Sequence, residues 1–320
     1  MDAGTASNRN SRWTRNPTRA PRKTAYVSAH DIAIFSVLAR YRYLPADYIH
    51  AFVGGNPKHL IHRLNVLSRE PNLFLNRPPQ QRANADANRR RLIYELDQRG
   101  IHLLQQHGGA ILQRTRPPAN FAHELMVCQI LASFELGTRE RAVRLIAWSE
   151  ILASESLPEQ TRCSPKPLSI PVRFEGTTIS IAADGQPFGI ARRDNHGSAY
   201  FFCPGIEADC GTEPIDTSDF ERSSIYKKFI LYLAIEEQGL HRTHFGFPNF
   251  YVPFVTTNPV RLASMMRLLE RITRGAGTRF ILFKTFPTFT SFEKPPPPSG
   301  SMLTEDWQRV GYPPFNFLSS

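Results

Sequence analysis

The chain has 320 residues, with 39 Lys and Arg against 28 Asp and Glu, and a formal net charge of +11. The surplus is not shared out evenly. Residues 1–116 hold 19 Lys/Arg and 7 Asp/Glu, whereas residues 117–320 hold 20 and 21. This length suits two domains, and the asymmetry suggests a polyanion-binding head joined to a neutral body. No apolar run reaches 18 residues, which excludes a membrane-spanning helix. The four cysteines (Cys128, Cys163, Cys203, Cys210) lack CxxC spacing, which argues against a disulfide scaffold and a structural zinc. A cytoplasmic protein with reduced thiols is the expectation.

Residues 1–27 are Arg-rich, without hydrophobic periodicity and without the apolar stretch of a signal peptide. They read as a disordered basic arm. A helix is predicted from Ser28, a capping residue with Asp31 three positions on, and Ile32, Phe35, Leu38 and Ala39 share one face. Pro45 opens a second short helix, Gly54-Gly55-Asn56 is a turn, and Pro57 starts a third helix whose apolar stripe is Leu60, Ile61, Leu64 and Leu67. Three helices with a Gly-containing turn before the third form a helix-turn-helix pattern. Strand-like NLFLNR, a polar loop and RLIYEL then read as a β-wing, so that residues 28–116 are expected to form a winged-helix DNA-binding domain. The outward face of the third helix carries Lys58, His59, His62, Arg63, Asn65 and Arg69, side chains suited to a major groove. The wing carries Arg77, Arg82, Arg89, Arg90 and Arg91, suited to phosphates. Double-stranded DNA is the expected partner, against the alternatives of a protein-contact module or a solvated charged face.

Pro117-Pro118 marks the expected boundary to a second domain over 117–290. An amphipathic helix follows (NFAHELMVCQILASFELG), then several strands, then helix, strand, helix, strand. That alternation implies parallel strands flanked by helices, and the fold class expected for the body is α/β, α+β for the whole chain. Asp184 lies at a turn before Gly185. Glu207 and Asp209 alternate along a strand and so share a face. If hairpin pairing brings Asp184 beside them, the three carboxylates form a candidate catalytic and metal site for Mg²⁺ or Mn²⁺, with Glu124 a possible fourth. The competing reading is a structural network with Lys227, Lys228 or Arg222. Residues 291–320 read as a Pro-rich linker and an aromatic tail (Trp307, Tyr312, Phe315, Phe317) that docks back on the body or on a partner.

The order helix, strands with Asp184, Glu207-Ala208-Asp209, then helix resembles the PD-(D/E)XK nuclease-like fold. That resemblance implies metal binding by the Asp and Glu, and a Lys two residues after the Glu. Position 209 is Asp instead, and Lys227 or Lys228 on the next helix would have to take the missing role. From about residue 28 to 285 the chain also resembles the replication-relaxation family of mobile-element proteins, through DIAIFSVLARYRYL, NPKHLIHRLNVL, LIYELDQRGIHLL, the ADG turn and IEADCGTEPI followed by SIYKKFILY. The resemblance implies a DNA-binding protein acting in plasmid replication, relaxation or mobilisation, with replication or relaxosome proteins as partners and a nuclease-like body that need not cut. The alternatives are a Mg²⁺-dependent endonuclease working through Asp184, Glu207, Asp209 and Lys228, and a transcriptional repressor.

Overall fold

A computed structural model describes residues 24–82, 92–109, 120–139, 141–194, 197–217, 222–286 and 296–319. Most of the expected basic arm, and Arg89, Arg90 and Arg91 of the expected wing, lie outside these residues. The fold class is α+β. The chain divides into two compact units, Met1–Gln129 with Phe292–Pro298 and Ile130–Ser291 with Ser299–Ser320.

In the first unit the order is α1 (Ala29–Tyr41), β1 (Leu44–Pro45), α2 (Ala46–Val53), α3 (Pro57–Leu67), β2 (Leu75–Asn76), β3 (Ile93–Leu96) and α4 (Gln98–Gln106). The three short strands form an antiparallel sheet in the order β1-β3-β2. Each helix start follows from its sequence. Ser28 and Asp31 form a capping box on α1, and Asn56 Oδ1 accepts from the amides of Lys58 and His59 with Pro57 at the first helical position. The turn between α2 and α3 needs glycine because Gly54 and Gly55 both have positive φ, 70° and 85°. His50 Nε2 closes that turn at 2.8 Å from Gly55 O. Behind α3, Leu60, Leu64 and Leu67 are buried in a core with Ile34, Phe35, Leu38 and Tyr48. Ile61, expected on the apolar stripe, is instead 40% exposed.

One ion pair braces this arrangement. Asp31 is fully buried and accepts from Ser28 N and Oγ, both at 2.7 Å, and from Arg63 Nε and Nη2 at 2.8 and 2.6 Å. Burial alone would raise the Asp31 carboxyl. The Arg63 and Ser28 bonds outweigh it and hold the group below its ordinary range.

The division between the units falls inside α5 (Phe121–Thr138), at Gln129 and Ile130, later than the expected boundary at residue 117. The first residues of α5 belong to the first unit because Phe121 packs edge-on against Tyr43 at 5.1 Å.

The second unit holds two kinds of sheet. β4 (Val143–Ile146), β7 (Phe188–Asp194) and β8 (Gly197–Cys203) are antiparallel in the order β4-β7-β8, and β5 (Ile170–Phe174) with β6 (Thr177–Ile181) form a hairpin. The expected parallel strands are β9 (Glu207–Asp209), β10 (Val252–Thr256) and β11 (Ile281–Thr285), in the order β11-β10-β9. Helices α8 (Ile225–Glu237) and α10 (Pro259–Ile272) connect them, each opened by a capping side chain, Ser224 and Asn258. Short helices α6 (Trp148–Ala153), α7 (Glu159–Arg162) and α9 (Leu240–Phe245) also belong to this unit.

The aromatic tail is core. Trp307, Phe315 and Phe317 are at most 3% exposed, and Phe317 packs against Phe134 of α5 and Phe201 of β8 at 5.7 and 5.8 Å. Trp307 Nε1 donates to Met302 O within the tail, whose last helix is α11 (Ser301–Thr304), and Lys284 of β11 donates to Ser301 O at 2.7 Å. Residues 299–319 are therefore part of the second unit and not a separate appendage.

The Asp31–Arg63 brace generates a stability prediction. Replacing Asp31→Asn removes the charge that satisfies Arg63 and weakens the α1 cap, and the first unit loses about 2–3 kcal/mol. Amide hydrogen exchange across α1 and α3 would read this as faster exchange confined to the first unit. Because the folded pKa of Asp31 is depressed, its contribution is present above the unfolded value of 3.8 and is lost as pH falls through the folded value. Asp31→Asn removes that acid sensitivity.

Candidate functional site

Two sets of side chains come out of this architecture, one in each unit. In the first, α3 exposes Lys58, His59, Ile61 and His62 on its solvent side. A hollow of about 300 Å³ opens beside them, lined by His30, Gly54, Asn56, His59, Leu60, His62 and Arg63. His30 at the start of α1 was missed in the sequence because it is far from α3 along the chain. The remaining predicted contacts of α3 serve its own fold. Arg63 is committed to Asp31 and to Tyr26 O. Asn65 donates to Ile61 O at 2.9 Å and accepts from Arg77. Arg77, expected on the wing, is 3% exposed and lies over the Tyr94 ring at 5.5 Å, and Arg69 is half-buried with its Nε enclosed. α3 is thus held through Arg63 and, at Asn65, by Arg77, which leaves its N-terminal half as the outward surface.

In the second unit, β9 is a three-residue strand buried at every position, including Glu207 and Asp209. Asp184 reaches it without the expected hairpin. Its loop lies on the segment before β9, where the amides of Asp184 and Gly185 donate to Ile206 O at 3.0 and 3.2 Å. The Asp184 carboxylate accepts from Ala208 N at 3.0 Å. This close approach depends on glycine: a Cβ on Gly205, whose φ is 148°, would collide with Gly185 O and Ala183, and one on Gly185 would come within 2.8 Å of Ile206.

The charge at the centre of these carboxylates is Lys228 of α8. Its Nζ lies 2.7 Å from Glu207, 3.1 Å from Glu213 and 3.6 Å from Asp184. Tyr232, one turn further on the same face of α8, donates to the other oxygen of Glu207. Burial pushes the Glu207 carboxyl up to about 8 against the opposing pull of Lys228. Burial would lower Lys228, but Glu207, Asp184 and Glu213 together outweigh it and hold its ammonium protonated well above the ordinary range.

Asp209 does not join this cluster. It is taken by Arg261 of α10, whose Nε and Nη2 both donate to it, with further bonds from Thr256 Oγ1 at 2.7 Å and Gly211 N at 3.1 Å. Arg261 also donates to Glu213 O, and so links the two charge clusters. The strand alternation that put Glu207 and Asp209 on one face was legible. The competing reading of a network with Lys228 is what Glu207 and Asp184 show; what was not legible is that Asp209 has a different cation, Arg261, so the converging acids are Asp184, Glu207 and Glu213. Glu213 lies outside the strand pattern that marks the other acids, and Arg261, 52 residues from Asp209, gives no local signal. The Lys228–Tyr232 spacing of one helical turn was the available clue to α8. Glu124 lies on the part of α5 that belongs to the first unit.

The donor set was tested against the Mg²⁺ or Mn²⁺ implied by the resemblance. Among the described residues no three His, Cys, Asp or Glu side chains form a group that would hold a metal ion. The oxygens of Asp184, Glu207 and Glu213 that converge already face an ammonium, and both Asp209 oxygens face a guanidinium. A divalent ion would have to displace a buried cation, so the residues do not fit one. Among the described residues no helix is long and apolar enough to cross a membrane.

Comparison of the whole chain with protein-family models, with curated proteins and with solved structures gave no match.

The cluster carries a pH signature. Glu207 has a folded pKa raised from 4.5 to about 8, so its contribution to stability is fully present below 4.5 and declines as pH climbs toward 8. The denaturant midpoint of the second unit falls between pH 5 and pH 8, and Glu207→Gln flattens that slope. Lys228→Met removes the cation shared by Glu207, Asp184 and Glu213 and costs about 3–5 kcal/mol; it also extends the decline of stability with pH beyond 8, because the pull that opposes burial at Glu207 is gone.

Proposed function

We propose that this protein binds duplex DNA through a winged-helix head, on a plasmid or other mobile element, in replication, relaxation or mobilisation. On this reading the body is a nuclease-like scaffold that does not cut. The observation that carries the reading is the α3 surface: a short helix braced from behind by Leu60, Leu64, Leu67 and the Arg63–Asp31 pair, presenting Lys58, His59, Ile61 and His62 outward. A helix so held, after a Gly-Gly turn, has the dimensions to enter a major groove with donors near base edges. The charge of residues 1–116 supplies the non-specific electrostatic attraction. The resemblance to the replication-relaxation family supports the setting. The ammonium at the centre of the body's carboxylates supports a scaffold role, because the position that a catalytic cation would need is filled by Lys228.

The test is duplex binding by the full chain across a salt series, with sites selected from random sequence. Lys58→Ala lowers the slope of log affinity against log salt by about 0.9, and replacing Arg89, Arg90 and Arg91 together lowers it by about 2.7. His59→Ala with His62→Ala relaxes sequence preference while leaving the slope nearly unchanged. Salt-independent binding would overturn the reading of the head. Nicking of supercoiled plasmid in Mg²⁺ or Mn²⁺, abolished by Glu207→Gln, would overturn the reading of the body.

A further inference from the structure

Among the described residues, the antiparallel sheet of the second unit has one covered face and one face that is bare at one end. Strand alternation and register sort its residues cleanly. The inner rows are Leu145–Ile190–Phe201 and Val143–Arg192–Ala199. Phe201 of this face meets Phe315 and Phe317 of the tail at 5.7 and 5.8 Å, and Phe188, also on it, meets Phe134 at 4.9 Å. Arg192 belongs to this side and lies over the Phe201 ring.

The opposite face is different. At one end Phe202 stacks on Phe247 at 4.8 Å and is sheltered. At the other end the rows are Arg144–Ala191–Tyr200 and, next to it, Arg193–Ser198. Tyr200 is 48% exposed, and Arg144, Arg193 and Ser198 are exposed too. The residue between Arg144 and Tyr200 is an alanine, so the row is a shallow trough with a cation on one wall and an aromatic ring on the other. Arg193 stands on the strand next to Tyr200, one step diagonal to it, within reach of a long side chain. Among the described residues the carboxylate paired with this face is Glu150, bonded to Arg144 with both side chains about half exposed, a pairing of little net strength.

We propose that this bare end of the sheet is a binding platform for single-stranded DNA. Tyr200 offers a ring on which an unpaired base stacks, and Arg193 and Arg144, one and two strands away on the same side of it, take the phosphates. An exposed aromatic beside arginines, on a sheet and with small residues between, fits a base with its backbone. Duplex DNA, whose bases are already stacked, has no use for the ring. The occupant is chosen by charge complementarity, since two arginines and a ring over a small-residue trough match a polyanion that carries flat bases. The platform is independent of the α3 surface and does not rest on the duplex reading.

The experiment is fluorescence anisotropy of the full chain with a labelled oligothymidylate of about 20 nucleotides, in parallel with a duplex. Tyr200→Ala is expected to weaken single-strand binding about tenfold or more while Tyr200→Phe retains it. Arg144→Ala with Arg193→Ala lowers the single-strand salt slope by about 1.4. None of these changes duplex affinity, whereas Lys58→Ala does, so failure of the platform and failure of the head are separately visible. All three residues are exposed, so thermal unfolding stays as in the unaltered chain. Photo-crosslinking of an iodouracil-substituted strand to the unaltered chain is expected to map to the peptide containing Tyr200. Unchanged single-strand affinity in Tyr200→Ala, or crosslinks that avoid β8, would overturn the proposal, as would capture of a protein ligand that competes with no nucleic acid.

Discussion

Two carboxylates inside a three-residue strand impose the main constraint on the second unit. Leaving Glu207 and Asp209 in the interior unpaired would cost more than the whole stability of an ordinary domain can absorb. Each is therefore met by a cation, and the cations come from different helices, Lys228 on α8 and Arg261 on α10. Helix packing on a sheet is set mainly by apolar contact, which tolerates some sliding. A bidentate guanidinium and an ammonium held by three carboxylates tolerate far less. The pairs fix where α8 and α10 lie along β9, and the Asp184 loop is fixed with them because its carboxylate bonds the Ala208 amide on the same strand. Glu213 joins the two systems through its side chain to Lys228 and its carbonyl to Arg261.

The same arithmetic of charge governs the first unit in a different way. Of the 19 Lys and Arg in residues 1–116, eleven lie in 1–23, 83–91 and 110–119. The described remainder holds eight against five Asp and Glu. Several of those eight are engaged within the unit: Arg63 with Asp31, Arg77 with Asn65, and Arg99 with the carbonyls of Pro71 and Asn72. Electrostatic attraction and helix bracing are thus assigned to different cations.

How much of this was readable in the sequence follows from the range of each interaction. Local signals worked: Ser28 with Asp31, and Pro57 after the Gly54-Gly55-Asn56 turn, each opened the helix they suggested. Period-two alternation correctly placed Glu207 and Asp209 on one face, and the α-β-α-β order correctly implied parallel strands. Pairings over tens of residues were not readable. Arg63 and Arg77 were read as DNA contacts because a cation on a helix or wing looks the same in sequence whether it faces water or a buried acid. Asp209 was grouped with Asp184 because strand alternation carries no information about which helix supplies a partner. The α5 boundary was misplaced because Pro117-Pro118 marks a break in the chain, whereas the units are divided by packing, and Phe121 packs on Tyr43.

The placement of the tail bears on how the chain acquires its shape during synthesis. Trp307, Phe315 and Phe317 are made more than a hundred residues after β7 and β8, yet they fill the interior behind those strands. Until they emerge, Phe134, Phe188 and Phe201 have nothing to close over them. The nascent second unit therefore presents an aromatic, sheet-edged surface of the kind that chaperones engage, and it closes only once residues 307–317 have been made. Translation that stalls short of residue 307 would leave a product with an open core, which cellular quality control would recognise as incomplete.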